Sequence, residues 1–331
     1  MFVTDIKGIP MNENGLNLAS LAQTFSDEDS ARDFLEKKLW PNGPVCPHCG
    51  SKDGAYKLEP RENSKRPVRK GVYKCKACRK QYSVRVGTIF EDSHIPICKW
   101  LMALHLMISS KKGISSLQMS REVGVTVKSA WFLTHRIREA MRKPTGKDPL
   151  TGTVEADETY VGGKPRLGMA VPPSKRGWGT KKTPVLVLVQ RDGSAVVRQL
   201  ERVNSKSLKN TIEANVAKAA VIITDQLGLY RGLNKTFAAH ETVNHGIRQY
   251  VRKTKDGLIV HTNTAESFFA LLKRGHYGIF HQISKKHLHR YCDEFGFRWD
   301  HRKVSDGERM VAAIKGATGK RLMYRSSDLV A

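Results

Sequence analysis

Apolar positions along the chain fall into three regimes. After Ser26, the stretch DEDSARDFLEKKLW spaces its hydrophobic residues as an amphipathic helix. Ser26 reads as its N-cap, with acids in the first turn where the helix dipole favours them. From Val45 to about Phe90 the text is turn-rich with short apolar runs, which predicts small strands. IPICKWLMALHLMISS and GISSLQMSREVGVTVKSAWFLTHRIREAM then return to helical spacing, the second split at Gly124-Val125-Thr126, so three helices in close succession predict a helix-turn-helix unit. KPTGKDPLTG (143–152) breaks the pattern with Pro and Gly. Beyond it TVEADETYVGG, TPVLVLVQ, AVVRQLE and AAVIITDQ read as strands, with the helical SKSLKNTIEANVAKA between the third and fourth. HTNTAESFFALLKRG closes this region with another helix.

That order describes an α/β domain behind two smaller units. The divisions are a helical lead-in (1–40), a cysteine-bearing unit (41–92), the helix-turn-helix-like unit (93–145), the α/β domain (150–305) and a C-terminal tail (306–331). The Gly/Pro-rich basic stretch 162–182 is expected to be a mobile loop.

Composition changes the picture through charge. The 331 residues carry 57 Lys+Arg against 31 Asp+Glu, a net +26, while 40% hydrophobic content is ample for a core. A globular protein with so cationic a surface is expected to bind polyanions, and a disordered basic tail or a disulfide-stapled miniprotein is excluded. The exception is residues 1–39, with seven acids against four bases. No apolar run reaches the ~18 residues of a membrane span, and the first residues lack a signal-peptide pattern, so a cytoplasmic, nucleoid-associated protein is expected.

Four of the six cysteines form two CxxC turns, Cys46-Pro-His-Cys49 and Cys75-Lys-Ala-Cys78, separated by 25 residues. Four thiolates close a tetrahedral shell, so the expected ion is a structural Zn2+. Tyr82 and Phe90 are expected to pack the small sheet that the metal holds, His48 to face solvent or phosphate, and Cys98 and Cys292 to be core residues.

Three carboxylates are candidates for hard-cation ligation. Asp157 lies in the strand VEADETY, Asp225 ends the apolar run VIITD, and Glu266 sits on the later helix. Carboxylates at strand ends can hold a pair of Mg2+ or Mn2+ ions for in-line phosphoryl transfer, a reason for acids to converge on a basic protein. Asn263, one helical turn before Glu266, is an alternative third ligand. Glu155 alternates with Asp157 and is a secondary candidate, whereas Glu158 projects to the opposite face as a structural partner. His240 and His245 are expected to be hydrogen-bonding structural histidines.

For DNA contact the residues expected are Lys273 and Arg274, two turns along the helix from Glu266, together with Lys285, Lys286 and Arg290. His287, His289, Arg298, His301 and Arg302 crowd the same region, interleaved with Tyr277, Phe280, Tyr291 and Trp299 as candidate base-stacking aromatics; Phe295, Phe297 and Trp299 are also read as core. In the helix-turn-helix, Thr126, Lys128, Ser129 and Trp131 would open the recognition helix.

WPNGPVCPHCG, YKCKACRKQYSVRVGTIFEDSHIP, ADETYVGGK, ITDQLGLYRGL, HETVNHGIRQYV and HTNTAESFFALLKRGHYGIFHQISKKHLHRYCDEFGFRWDHR together resemble the bacterial insertion-sequence DDE transposases that carry an N-terminal zinc ribbon. The resemblance implies a ribonuclease-H-like catalytic domain, a mixed sheet flanked by helices, with Asp157, Asp225 and Glu266 as the metal-binding triad and Lys273 contacting DNA near them. It also implies a transposase that binds terminal inverted repeats and target DNA, working as a dimer or larger assembly. The rival readings are a non-catalytic DNA-binding regulator and a nuclease without strand transfer.

Overall fold

The computed structural model describes residues 17–59, 68–163 and 180–324. Most of the stretch expected to be mobile, and the ribbon residues Arg61, Lys65 and Arg66, lie outside them. The chain divides into two compact units, residues 1–141 with 304–331 and residues 142–303.

In the first unit, α1 (Leu18–Thr24) and α2 (Glu28–Leu39) precede a three-stranded antiparallel sheet of β1 (Ala55–Lys57), β2 (Tyr73–Cys75) and β3 (Gln81–Tyr82). The cap of α2 is Asp27 rather than Ser26. Its backbone is extended and its carboxylate accepts from Ser30 N at 2.8 Å, so the residue adjacent to the helix takes the role.

Three helices follow: α3 (Ile97–Ser109), α4 (Ser116–Val123) and α5 (Val127–Met141). Gly124 closes α4 in the left-handed region (φ 66°), a conformation glycine adopts without cost, and the chain turns directly into α5. Residues 306–315, expected within the tail, form α9 (Asp306–Lys315) in this unit. Its N-terminus is a reciprocal box between Ser305 and Glu308. Phe90 does not join the small sheet; it packs edge-on against Trp100 of α3 at 5.2 Å, in the larger apolar core.

The second unit is a five-stranded mixed sheet with helices on both faces. Its strands are β4 (Thr153–Val161), β5 (Thr183–Gln190), β6 (Ala195–Gln199), β7 (Val221–Asp225) and β8 (Ala239–Val243), in the order β6-β5-β4-β7-β8. β4, β5 and β6 are mutually antiparallel, while β7 and β8 run parallel to β4. Helix α6 (Ser205–Glu213) crosses from β6 to β7. This is the ribonuclease-H-like arrangement.

One face packs Val154, Ala156, Leu186 and Leu188 against Leu208 and Ile212 of α6. The other packs Val185, Val187 and Val189 against Phe268 and Leu272 of α7 (Asn263–Gly275) and Phe295 of α8 (Leu288–Asp300). Covered on both sides, β5 needs apolar residues at successive positions, which is why TPVLVLVQ runs without alternation. A two-stranded ribbon, β9 (Arg252–Lys253) and β10 (Ile259–Val260), leads into α7.

Candidate active site

Parallel pairing of β4 with β7 runs from Thr153↔Val221 to Glu155↔Ile223 and ends there. Asp157 and Asp225 each lie two residues beyond the last pair, so they occupy matching positions on one face where the strands part. In sheets of this kind the ends of parallel strands are where ligands bind. Burial, reinforced by Glu158, Asp225 and Glu266, pushes the Asp157 carboxyl up to about 8. Its Oδ1 accepts from the Glu158 amide at 2.8 Å, and Asp225 Oδ1 accepts from Leu227 N at 3.0 Å.

Glu266 lies exposed in the first turn of α7, and its Oε1 is 3.8 Å from Nδ1 of His245. Asn263, the first residue of α7, is also exposed. Among the described residues the three acids are close enough for their charges to interact, yet only the four cysteines bring their ligand atoms within 4.8 Å of one another.

The remaining acids of β4 are engaged. Glu158 accepts a hydrogen bond from the hydroxyl of the buried Tyr230, on the α6 face, and burial and Asp225 raise its carboxyl. Glu155, a secondary ligand candidate from sequence, has both oxygens occupied. Oε2 accepts from the amides of Thr264 (2.8 Å) and Ala265 (3.1 Å), and Oε1 from Thr264 Oγ1 (2.9 Å) and Arg191 Nε (2.8 Å). It is fully buried and has no open position for an ion. Nothing local in the sequence marks Arg191 or Thr264 as its partners, since they lie 36 and 109 positions away. His240 bonds Thr224 Oγ1 at 3.0 Å through Nε2, and His245 Nε2 lies 3.3 Å from Thr262 Oγ1.

In the first unit the two CxxC turns face each other. Cys46 Sγ lies 3.6 Å from Cys78 Sγ, and Cys49 Sγ 3.7 Å from Cys75 Sγ. A tetrahedron with Zn–S bonds of about 2.3 Å has an edge of about 3.8 Å, so the sulfurs stand at zinc spacing. The two turns are built alike: Gly50 N bonds Cys46 O and Arg79 N bonds Cys75 O, and both Gly50 and Arg79 have positive φ (73° and 61°). Trp40, Tyr73 and Tyr82 pack around them with centroids 5.3 to 5.9 Å apart, and His48 Nε2 approaches the Gln81 carbonyl at 3.3 Å.

Residues 26–81 match the family model of a transposase zinc-ribbon domain, and residues 149–300 that of an ISXO2-like transposase domain. The chain carries both domains of an insertion-sequence transposase. It is 28% identical over 294 residues, 83% of this chain and 92% of the relative, to an uncharacterized protein in transposable element ISH50 of Halobacterium salinarum. Weak structural likenesses reach the Mos1 strand transfer complex (TM-score 0.27, 14% identity, 65% of this chain and 73% of that one). They also reach the Mos1 paired-end complex with the left transposon end (TM-score 0.25, 14% identity, 94% and 100%). The ribonuclease-H-like arrangement rests on this chain's own strand order. None of the helices among the described residues is long and apolar enough to cross a membrane.

In this transposase the basic residues separate into exposed and internal sets. Lys273, Arg274, Lys285, Lys286 and Lys128 are exposed, and Arg290 is half-buried beside His287. Arg298, expected at phosphate, is buried against the equally buried Glu294 at 2.5 Å. Arg302 donates to the carbonyls of Gly193 and Trp299. Of the proposed stacking aromatics, Phe280 and Tyr291 pack on each other at 4.8 Å and Trp299 on Phe268 at 5.6 Å, while Tyr277 is exposed. Phe295 and Cys292 are core, as expected, and Phe297 is half-buried on His301. At the start of α5, Thr126 Oγ1 accepts from Ser129 N at 3.2 Å. Trp131 packs against His135 and Tyr324, and Lys128 Nζ sits 5.1 Å over the Tyr324 ring.

Proposed function

We propose that this transposase binds the terminal inverted repeats of its element through the zinc ribbon and helix-turn-helix, and cleaves and joins DNA at Asp157, Asp225 and Glu266. The observation that carries the reading is the placement of Asp157 and Asp225 on one face past the end of the β4–β7 pairing, with the Glu266 charge in range. An Asp157 carboxyl held up at about 8 by burial and by other acids has no ion-pair partner among the described residues, the deficit that hard divalent cations make good. The donor set, all carboxylate oxygen, suits Mg2+ or Mn2+. When bound, such ions activate an attacking oxygen and stabilise the leaving one.

The chain's own residues do the rest. Asp157 and Asp225 come from rigid strands, so their separation is fixed by the sheet, and Glu266 comes from the first turn of α7. Lys273 lies two helical turns further on, on the same side as Glu266, and with Arg274 is placed to hold phosphates beside the acids. Water attacks first, freeing a 3′-hydroxyl that attacks target DNA next. Cutting two ends calls for pairing them, so a dimer or larger assembly on DNA is part of the proposal. Glu266 is favoured over Asn263 as third ligand for its charge; Glu266→Gln should abolish cleavage and Asn263→Ala should retain it.

The test is an assay with Mg2+ or Mn2+ and DNA carrying the element's ends, comparing wild type with Asp157→Ala. Joined products that vanish in the variant are expected. Nicks without joining would replace the proposal with a nuclease, and binding without chemistry in either protein would replace it with a regulator.

A further inference from the structure

Helix α7 carries the third acid, yet its own cap residue, Thr262, makes no side-chain capping bond. The role falls to Glu155, from β4. One carboxylate oxygen takes the amides of Thr264 and Ala265, the free donors of the first turn immediately before Glu266. The other takes Thr264 Oγ1 and Arg191 Nε, with His261 Nδ1 at 3.1 Å. Arg191 extends the clamp to the segment entering the helix, donating to the carbonyls of Ile259 (2.6 Å) and His261 (3.2 Å). Glu155 stands two residues before Asp157, so one buried group joins the strand of the first acid to the helix of the third.

We infer that Glu155, clamped by Arg191, is a positioning residue: it fixes the distance of the α7 ligand from Asp157 and thereby sets metal affinity, without itself ligating the ion. The inference rests on the carboxylate reading of the site. A fully buried, fully bonded carboxylate cannot also bind a cation, but its bonds determine where the first turn of α7 lies. Partners of this kind typically change metal affinity about 10- to 100-fold when removed.

The experiment uses the full chain. Mn2+ binding is titrated through the electron paramagnetic resonance of the unbound ion, alongside amide hydrogen exchange and thermal melting, for wild type, Glu155→Gln, Thr264→Val and Asp157→Ala. Glu155→Gln should weaken Mn2+ about tenfold or more. It should speed exchange at Thr264 and Ala265 and leave the β5 amides unchanged; Thr264→Val, which removes one donor, should shift both in the same direction by less. Wild-type Mn2+ affinity in Glu155→Gln overturns the inference, as does an exchange increase spread evenly over the sheet. If Glu155→Gln fails to fold, Thr264→Val decides: unchanged Mn2+ affinity with unchanged exchange overturns it. Asp157→Ala separates the two layers. If it keeps wild-type Mn2+ affinity, the carboxylate reading fails; if it loses Mn2+ while Glu155→Gln does not, only the positioning role falls.

Discussion

Replacing Asp157 with Asn tests whether burial and the neighbouring acids hold this carboxyl protonated. In the metal-free fold the Asp157 carboxyl is pushed up to about 8, from an ordinary value of 3.8. The folded state therefore holds a proton through that window which the unfolded chain has released. Stability contributed by the neutral form is lost as pH rises from about 4 to about 8, and the loss levels off above that. From pH 6 to pH 8 the ceiling is two pH units at about 1.36 kcal/mol each, roughly 2.7 kcal/mol. Asp157 is only partly buried, so solvent screening reduces the expected loss to about 1–2 kcal/mol.

Asn at 157 cannot titrate and should show none of this component. Because the chain has two units, amide exchange of β5 is the suitable assay, since it reports opening of the α/β unit alone. Chelator-treated wild type should lose about 1–2 kcal/mol more than Asp157→Asn between pH 6 and pH 8. Mg2+ should stabilise wild type increasingly toward pH 8, as fewer protons need displacing, and leave the variant unmoved. Parallel pH profiles for the two proteins would refute the reasoning.

Three further outcomes follow from the geometry. Purified protein should carry one zinc per chain, and Cys75→Ser should lose it. Chelation should then expose residues 46–82 to protease while α3, anchored by Trp100, Leu101 and Leu104, survives; a metal-free ribbon of native protease resistance would contradict this. Lys273→Gln with Arg274→Gln should reduce the slope of log affinity for DNA against log salt by up to about 1.8, and an unchanged slope would remove both from the interface. Arg298→Gln should instead leave the salt slope intact and destabilise the α/β unit by about 1.5–3 kcal/mol in urea, because it removes a charged hydrogen bond to the buried Glu294; a reduced slope with normal stability would return Arg298 to the DNA surface.

How much of this could be read from the chain depends on the range of the interaction. The CxxC turns were legible because ligand chemistry imposes local spacing. Four of the five strands of the α/β sheet were legible, β5 most plainly because it is buried on both faces and reads as an unbroken apolar run, whereas β8, the mixed AHETV, was not read as a strand. Helix α9 left a readable signal in Ser305-Asp306-Gly307-Glu308, a capping box whose reciprocal bonds are present. The offset from Ser26 to Asp27 had no such signal, since both side chains can cap and only the backbone angles decide between them. Interleaved Arg, His and aromatic residues on α8 misled because composition carries no facing. Arg298 lies four residues after Glu294, so helical geometry turns it inward to a partner already in the text.

The carboxylates that cap from a distance were beyond reach for a physical reason. The N-cap of helix α3 is Pro96, which makes no side-chain capping bond, and the first amides of the helix are taken by Glu28 of α2, with Ile97 N at 2.6 Å, while Arg85 holds the other oxygen at 2.6 Å. Helix α7 repeats the device with Glu155 and Arg191. In both, a glutamate supplies the negative charge that a helix N-terminus attracts, and an arginine neutralises what remains. The pairing is set by folding over 69 positions in one case and 109 in the other, so no window of sequence contains it. Local periodicity can therefore place Glu266 on a helix and Asp157 on a strand, but the bond that fixes one against the other appears only when the sheet and helix have docked.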